Sequence, residues 1–238
     1  MRLNVKFYYF LLKELHWDIL IIFTKWQVSS LKKINVVGLG PGNPDYITKK
    51  GIEYISNCDI AIGGKRQLEE VSFLLSPSCE KYTLNKLSDV IDFIKENRER
   101  QMCVIVSGDT GFYSLLPFLR KHFKKSELDV VPGISSYQYL FSRLGEAWHE
   151  YELLSIHGRE MDYIDVLRHS TGVILLTDDK NTPYIIAKNV YDNGFKNMEI
   201  IIGERLAYPD EKITITNIEN FNTLNREYKM NIAVIRQK

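Results

Sequence analysis

The sequence predicts an α/β protein with a parallel-rich N-terminal sheet followed by a mixed C-terminal sheet. Three observations carry that reading. Short β-branched runs alternate with stretches of helical spacing between Lys33 and Val131, the pattern of crossovers that build parallel sheets. Val131-Pro132-Gly133 breaks the alternation and starts a new direction. Beyond it, the last three strand-like runs have no long helices between them, so they are free to pair antiparallel. The chain divides accordingly into an extension over 1–32, an N-terminal α/β domain over 33–131 and a C-terminal α/β domain over 132–238.

The elements follow in order. Ile34 to Val37 is a β-branched run that ends in glycines, and Ile52 with Ile55 has helical spacing. Asp59 to Ile62 reads as a second strand, Val90, Ile91 and Ile94 mark a helix, and Met102 to Val106 is the most continuous apolar strand. Phe112 to Phe123 reads as a helix and Leu128 to Val131 as a strand. Further strands are expected at Leu153–Ile156, Val173–Leu176, Ile200–Gly203, Ile213–Thr216 and Ile232–Ile235, with a helix around Thr182–Val190. There is no internal repeat and no low-complexity stretch.

A chain of 238 residues, 45% hydrophobic, has ample material for a core. Its net charge of +1 leaves no global field for nucleic acid or a membrane surface, so an anionic ligand would have to meet locally placed cations. Cys58, Cys79 and Cys103 are widely spaced without a CxxC pair. They read as buried thiols of a reducing, cytoplasmic protein, with no metal site or disulfide framework. Residues 1–32 are rich in aromatic and aliphatic side chains. Lys13, Glu14, His16 and Asp18 interrupt them, well short of the roughly 20 apolar residues of a membrane span. With no small-residue cleavage site either, the segment reads as an extra helix, an arm or a leader, and as dispensable.

Four glycine- or serine-bearing loops follow predicted strands. Gly38-Leu39-Gly40-Pro41-Gly42 has GxGxG spacing, not the GxGxxG of a dinucleotide fingerprint, and its proline, with Pro44, removes donors that a pyrophosphate would use. The next helix begins only near Thr48. Gly63-Gly64-Lys65-Arg66 ends the second strand without the acidic residue that holds a nicotinamide cofactor's ribose; its cations are either a solvated helix start or a carboxylate receptor. In Ser107-Gly108-Asp109-Thr110-Gly111-Phe112, Asp109 either caps a helix or sits beside a ligand lying on the glycines. Pro132-Gly133-Ile134-Ser135-Ser136 offers a helix cap or hydroxyls for a cofactor, and no nucleophile elbow.

Together, GLGPG, SGDTGFY and PGISS resemble the signature loops of the tetrapyrrole methylase family, in the family's order. GGKRQLE, the stretch from Pro132 to Glu160 and GERLAYPDEKI are similar to its cobalt-precorrin-7 C5-methyltransferase branch. The resemblance runs from about residue 33 to 238. Thr110 departs from it, standing where the family usually has proline, which implies altered loop stiffness. Some relatives also carry a fused methylase that decarboxylates an acetate chain; this chain has no room for it, so that partner would be a separate protein.

The resemblance implies two α/β domains with S-adenosylmethionine folded in the cleft between them, a corrin precursor as substrate, and a homodimer. The cofactor would meet Pro41, Gly108, Asp109, Gly111, Phe112, Ser135 and Ser136. Leu176, Thr177, Gly203, Glu204, Leu206 and Asn231 would complete its site. The substrate's acetates and propionates would meet Lys65, Arg66, Arg143, Arg159 and Arg205. His157 either handles a proton or is a hydrogen-bonded structural histidine. Other classes stay open: a methylase of the same family with a different position or substrate, a non-catalytic corrinoid or adenosylmethionine binding module, and an NADP-linked reductase, which Pro41 and Pro44 disfavour.

Overall fold

A computed structural model describes residues 31–237; the extension, apart from its last two residues, lies outside the described residues. The first sheet contains β1 (Ile34–Gly38), β2 (Ile60–Gly63), β3 (Glu80–Thr83), β4 (Met102–Val106) and β5 (Leu128–Val131), in the order β3-β2-β4-β1-β5. Every pairing in it is parallel. The inner strands β1, β2 and β4 are buried at every residue because both faces are covered, as parallel crossovers require. Ile34, Val36, Ile62 and Val104 face one core, and Val37, Ala61, Cys103 and Ile105 face the other. Helices α1 (Lys49–Ser56), α2 (Lys65–Glu70), α3 (Leu87–Glu96) and α4 (Leu116–His122) belong to this half. Thr48 begins α1, its hydroxyl accepting from Gly51 N at 3.1 Å.

The second sheet contains β6 (Glu152–Ser155), β7 (Gly172–Leu176), β8 (Met198–Glu204), β9 (Lys212–Asn217) and β10 (Asn231–Gln237), ordered β6-β7-β10-β8-β9. β6 and β7 are parallel and the other pairs antiparallel, giving the mixed sheet that the sequence predicts. Helices α5 (Ser136–Leu144), α6 (Tyr163–Arg168) and α7 (Pro183–Asp192) accompany it. Tyr137, Leu140 and Phe141 of α5 pack with Ile174, Ile201 and Val234 of this sheet, although α5 follows directly on β5.

The helix expected over Phe112–Phe123 is only Leu116–His122. Ahead of it the chain bends, with Tyr113 at φ 48°, so Phe112 and Tyr113 stand outside the helix, Phe112 half-buried and Tyr113 exposed. β3 is a strand that periodicity does not reveal: it is a polar edge, and only Tyr82 of its four residues is half-buried. The cysteines stay free thiols, yet the fold brings Cys58 Sγ to 3.7 Å from Cys79 Sγ. Hydrogen bonding to Cys58 and burial hold the Cys103 thiol well above its usual range. Among the described residues no helix is long and apolar enough to cross a membrane.

Candidate active site

The strands β4, β1 and β5 are neighbours in one parallel sheet, so the loops leaving their carboxyl ends must meet. They meet at glycines. A Cβ on Gly38 would lie 2.6 Å from Gly108 O and 2.7 Å from Gly133 N, and one on Gly133 would strike Gly108 O and Gly38. Gly40 and Gly108 exchange hydrogen bonds (Gly108 N to Gly40 O, 2.9 Å; Gly40 N to Gly108 O, 3.2 Å), and both have positive φ, 82° and 63°. Asp109 ties the group together. Its Oδ1 accepts from Gly111 N at 2.8 Å and its Oδ2 from Gly133 N at 3.3 Å. It does not cap a helix, because α4 begins only at Leu116.

This junction floors a cavity of about 630 Å³ between the two sheets, a size that suits a cofactor or substrate. The first half contributes Gly40, Pro41, Ser107, Gly108, Asp109 and Phe112; the second contributes Ser135, Ser136, His157, Leu176, Thr177, Gly203, Leu206 and Asn231. Ser135 is 2% exposed, and its Oγ has no hydrogen-bond partner among the described residues. Gln138 Oε1 instead accepts from Ser135 N at 2.8 Å, closing the first turn of α5 and leaving the hydroxyl at the cavity wall.

His157 lies just beyond β6. Its Nδ1 is 2.9 Å from Thr177 O. A carbonyl only accepts, so Nδ1 carries the hydrogen and Nε2 of the neutral ring is left as an acceptor. Thr177 Oγ1 in turn donates to the Asn231 backbone and side-chain oxygens at 2.6 and 2.8 Å, locking β7 to β10 at the cavity edge. The turn after His157 is held by Asp178, whose Oδ2 accepts from Gly158 N at 2.8 Å and whose Oδ1 accepts from Asn181 N at 2.7 Å. Those two amides hold the Asp178 carboxyl below its usual range. Its contribution is therefore in place above the ordinary carboxylate pKa of about 3.9 and fades only as pH falls through the lower folded value.

The expected substrate cations do not all gather here. Arg66 and Arg159 line the cavity. Arg159 stacks over the Tyr113 ring at 4.8 Å, while Arg66 is already bonded to Glu70, Tyr208 and Ser107. The others lie off the wall: Lys65 beside Glu69, Arg143 against Glu211 at 3.1 Å, and Arg205 against Asp210 at 3.0 Å. Two expected cofactor contacts are also set back. Gly111 bonds Asp109, and the nearly buried Glu204 pairs with Arg226 at 2.7 Å and accepts from Lys229 N at 3.0 Å.

Sequence reasoning missed much of the apolar lining of the cavity, to which Leu84, Leu87, Tyr113, Leu115, Phe118 and Met230 contribute. Leu87, Tyr113 and Met230 are among the larger exposed apolar side chains. Their place at the cavity is set by the fold and is visible only after folding.

The model of the tetrapyrrole (corrin/porphyrin) methylases matches residues 33–222. A cobalt-precorrin-7 C(5)-methyltransferase of Salmonella typhimurium is 30% identical over 203 residues, covering 85% of this chain and 98% of that protein. A decarboxylating precorrin-6Y C(5,15)-methyltransferase of Sinorhizobium is 26% identical across 85% of this chain, but only 49% of its own length is matched. Among solved structures, uroporphyrin-III C-methyl transferase from Thermus thermophilus complexed with S-adenyl homocysteine superposes with a TM-score of 0.69 at 18% identity, over 86% of this chain and 97% of that one. The family's sequence model runs from β1 through β9, stopping short of β10, and on that match the chain belongs to the tetrapyrrole methylase family.

Proposed function

We propose that this protein transfers a methyl group from S-adenosylmethionine to a meso carbon, C5, of a cobalt-precorrin in cobalamin biosynthesis. The observation that carries the reading is the glycine junction with the unpartnered Ser135 hydroxyl beside it. Close packing of Gly38, Gly108 and Gly133 brings the bare backbones of Gly40 and Gly108 to the cavity wall, and beside them the Ser135 hydroxyl has no partner among the described residues. Pro41, Gly108, Asp109, Phe112, Ser135 and Ser136 would hold the cofactor from one side, and Leu176, Thr177, Gly203, Leu206 and Asn231 from the other. The cofactor supplies an electrophilic methyl on a sulfonium, so the protein's work is alignment, which can contribute roughly 7–11 kcal/mol. The apolar lining suits the face of a large macrocycle, while Arg66 and Arg159 suit its carboxylates.

The division into 33–131 and 132–238 fits this reading, since α5 packs with the second sheet. We place the reaction in the cytoplasm, as the free thiols favour. We infer a homodimer, and a separate decarboxylating methyltransferase as a partner.

Adenosylhomocysteine should raise the melting temperature through linkage, and NADP should not. Mass spectrometry of a cobalt-precorrin incubated with S-adenosylmethionine should show a gain of one methyl group. A shift with NADP alone would sink the reading. Arg159→Ala should weaken corrinoid binding by about 1.5–3 kcal/mol, the scale of a charge-assisted hydrogen bond. Adenosylhomocysteine affinity should hold; equal losses for both ligands on titration would make Arg159 structural.

A further inference from the structure

The loop Arg205–Glu211 between β8 and β9 is strained, with Arg205 and Ala207 both left-handed at φ 53° and 65°. Such strain persists only where surroundings enforce it. Here Arg205 N donates to Met230 O at 2.9 Å, Ala207 N donates to Glu211 Oε2 at 2.7 Å, and Asp210 takes both Arg205 and Lys229. What the strained loop achieves is the delivery of Tyr208 to the opposite half of the molecule. The Tyr208 ring lies against Gly42, where a Cβ would overlap it, and the Arg205 guanidinium covers it at 3.9 Å. Its Oη accepts from Arg66 Nη1 at 2.6 Å and donates to Glu70 Oε1. Arg66 Nη1 also reaches Glu70 Oε1 at 2.8 Å, and Nη2 reaches Ser107 Oγ at 2.8 Å. Tyr208 itself does not line the cavity, whereas Arg66 and Ser107 do.

We infer that Tyr208 is a positioning residue for the substrate: it crosses the cleft to fix the Arg66 guanidinium at the cavity wall. This deepens the methyltransferase reading and rests on it for the identity of the anion that Arg66 meets. With Nη1 bonded to Glu70 and Tyr208 and Nη2 to Ser107, one Nη2 hydrogen is left for a carboxylate, and it points usefully only when the planar group's orientation is set beforehand. Glu70 and Ser107 set it from within the same half. Tyr208 sets it from the other half, so the cation is in register only when the two halves are.

The test uses full-length protein and the variants Tyr208→Phe and Glu70→Gln. In 15N-arginine-labelled protein, the Arg66 side-chain signals should be resolved and slow to exchange with water in the parent, and averaged in Tyr208→Phe. The corrinoid KM should rise about 10-fold or more in Tyr208→Phe, the loss expected for one hydrogen bond to a charged group. Adenosylhomocysteine affinity and kcat should change less than about 2-fold, because those depend on other loops. Glu70→Gln should also raise the corrinoid KM and loosen the Arg66 signals, because Glu70 shares the fixing of that guanidinium with Tyr208. Unchanged Arg66 signals in Tyr208→Phe overturn the inference, as does an unchanged KM with Arg66 freed. A matching fall in cofactor affinity, kcat and melting temperature overturns it too, by making Tyr208 a fold residue. The arginine signals need no turnover, so they judge Tyr208 even if the parent methylates no corrinoid.

Discussion

Gly133→Ala should abolish measurable adenosylhomocysteine binding and destabilise the fold by about 3 kcal/mol, the upper end of the usual cost of overpacking. The added methyl group has nowhere to go. It meets Gly108 O and the Gly38 carbonyl, which are backbone atoms of two strand-end loops and cannot rotate away as a side-chain tip would. Relief requires β5 to part from β1 or the Ser107–Gly111 loop to lift, and either opens the cavity floor. Asp109→Ala is the milder companion. It frees the amides of Gly111 and Gly133 without inserting volume, so stability should fall by about 1.5–3 kcal/mol while adenosylhomocysteine affinity falls at least as much. Urea denaturation and calorimetry separate the two quantities. If Gly133→Ala folds and binds like the parent, the three loops are not the floor of the site.

Those three loops were legible because each is a local pattern placed after a run that reads as a strand. β1 and β4 are buried on both faces and so stand out as largely apolar segments, while β5, LDVV, is marked by its valines and the Pro-Gly that follows. Neighbourhood in a parallel sheet then makes their loops converge. The charges were less legible, because a cation's partner is set by the fold. Arg143 finds Glu211 and Arg66 finds Tyr208, contacts across 68 and 142 positions of sequence. Phe112, Leu115, Leu116 and Leu119 imitate one helical stripe, but Phe112 and Leu115 line the cavity and only the last two lie in α4. The polar edge strand β3 has no apolar alternation to display. The 3.7 Å approach of Cys58 to Cys79 depends on how β2 and β3 pair, which spacing cannot express.

His157→Ala should lower the single-turnover rate of methylation by about 100-fold, the lower end for loss of a positioned acid or base. C-methylation replaces a carbon-bound hydrogen by methyl and releases that hydrogen as a proton, so the cleft needs an acceptor. Asp109 lines it too, but its carboxylate oxygens are occupied by the Gly111 and Gly133 amides. The imidazole is differently placed. Donating Nδ1–H to Thr177 O fixes its tautomer, and Nε2 keeps a lone pair at a residue that lines the cavity. Asp178 steadies the turn that follows, through Gly158 N. We therefore assign the proton to Nε2. Adenosylhomocysteine affinity in His157→Ala should stay within about 2-fold of the parent, since removing a group used only in the reaction leaves ground-state binding alone. Added imidazole should restore part of the rate. The structural alternative predicts something else: loss of the Thr177 contact alone would cost about 1 kcal/mol of stability with turnover intact and no response to imidazole. Stopped-flow methylation, with and without imidazole and set beside a denaturation curve, decides between a proton acceptor and a tether.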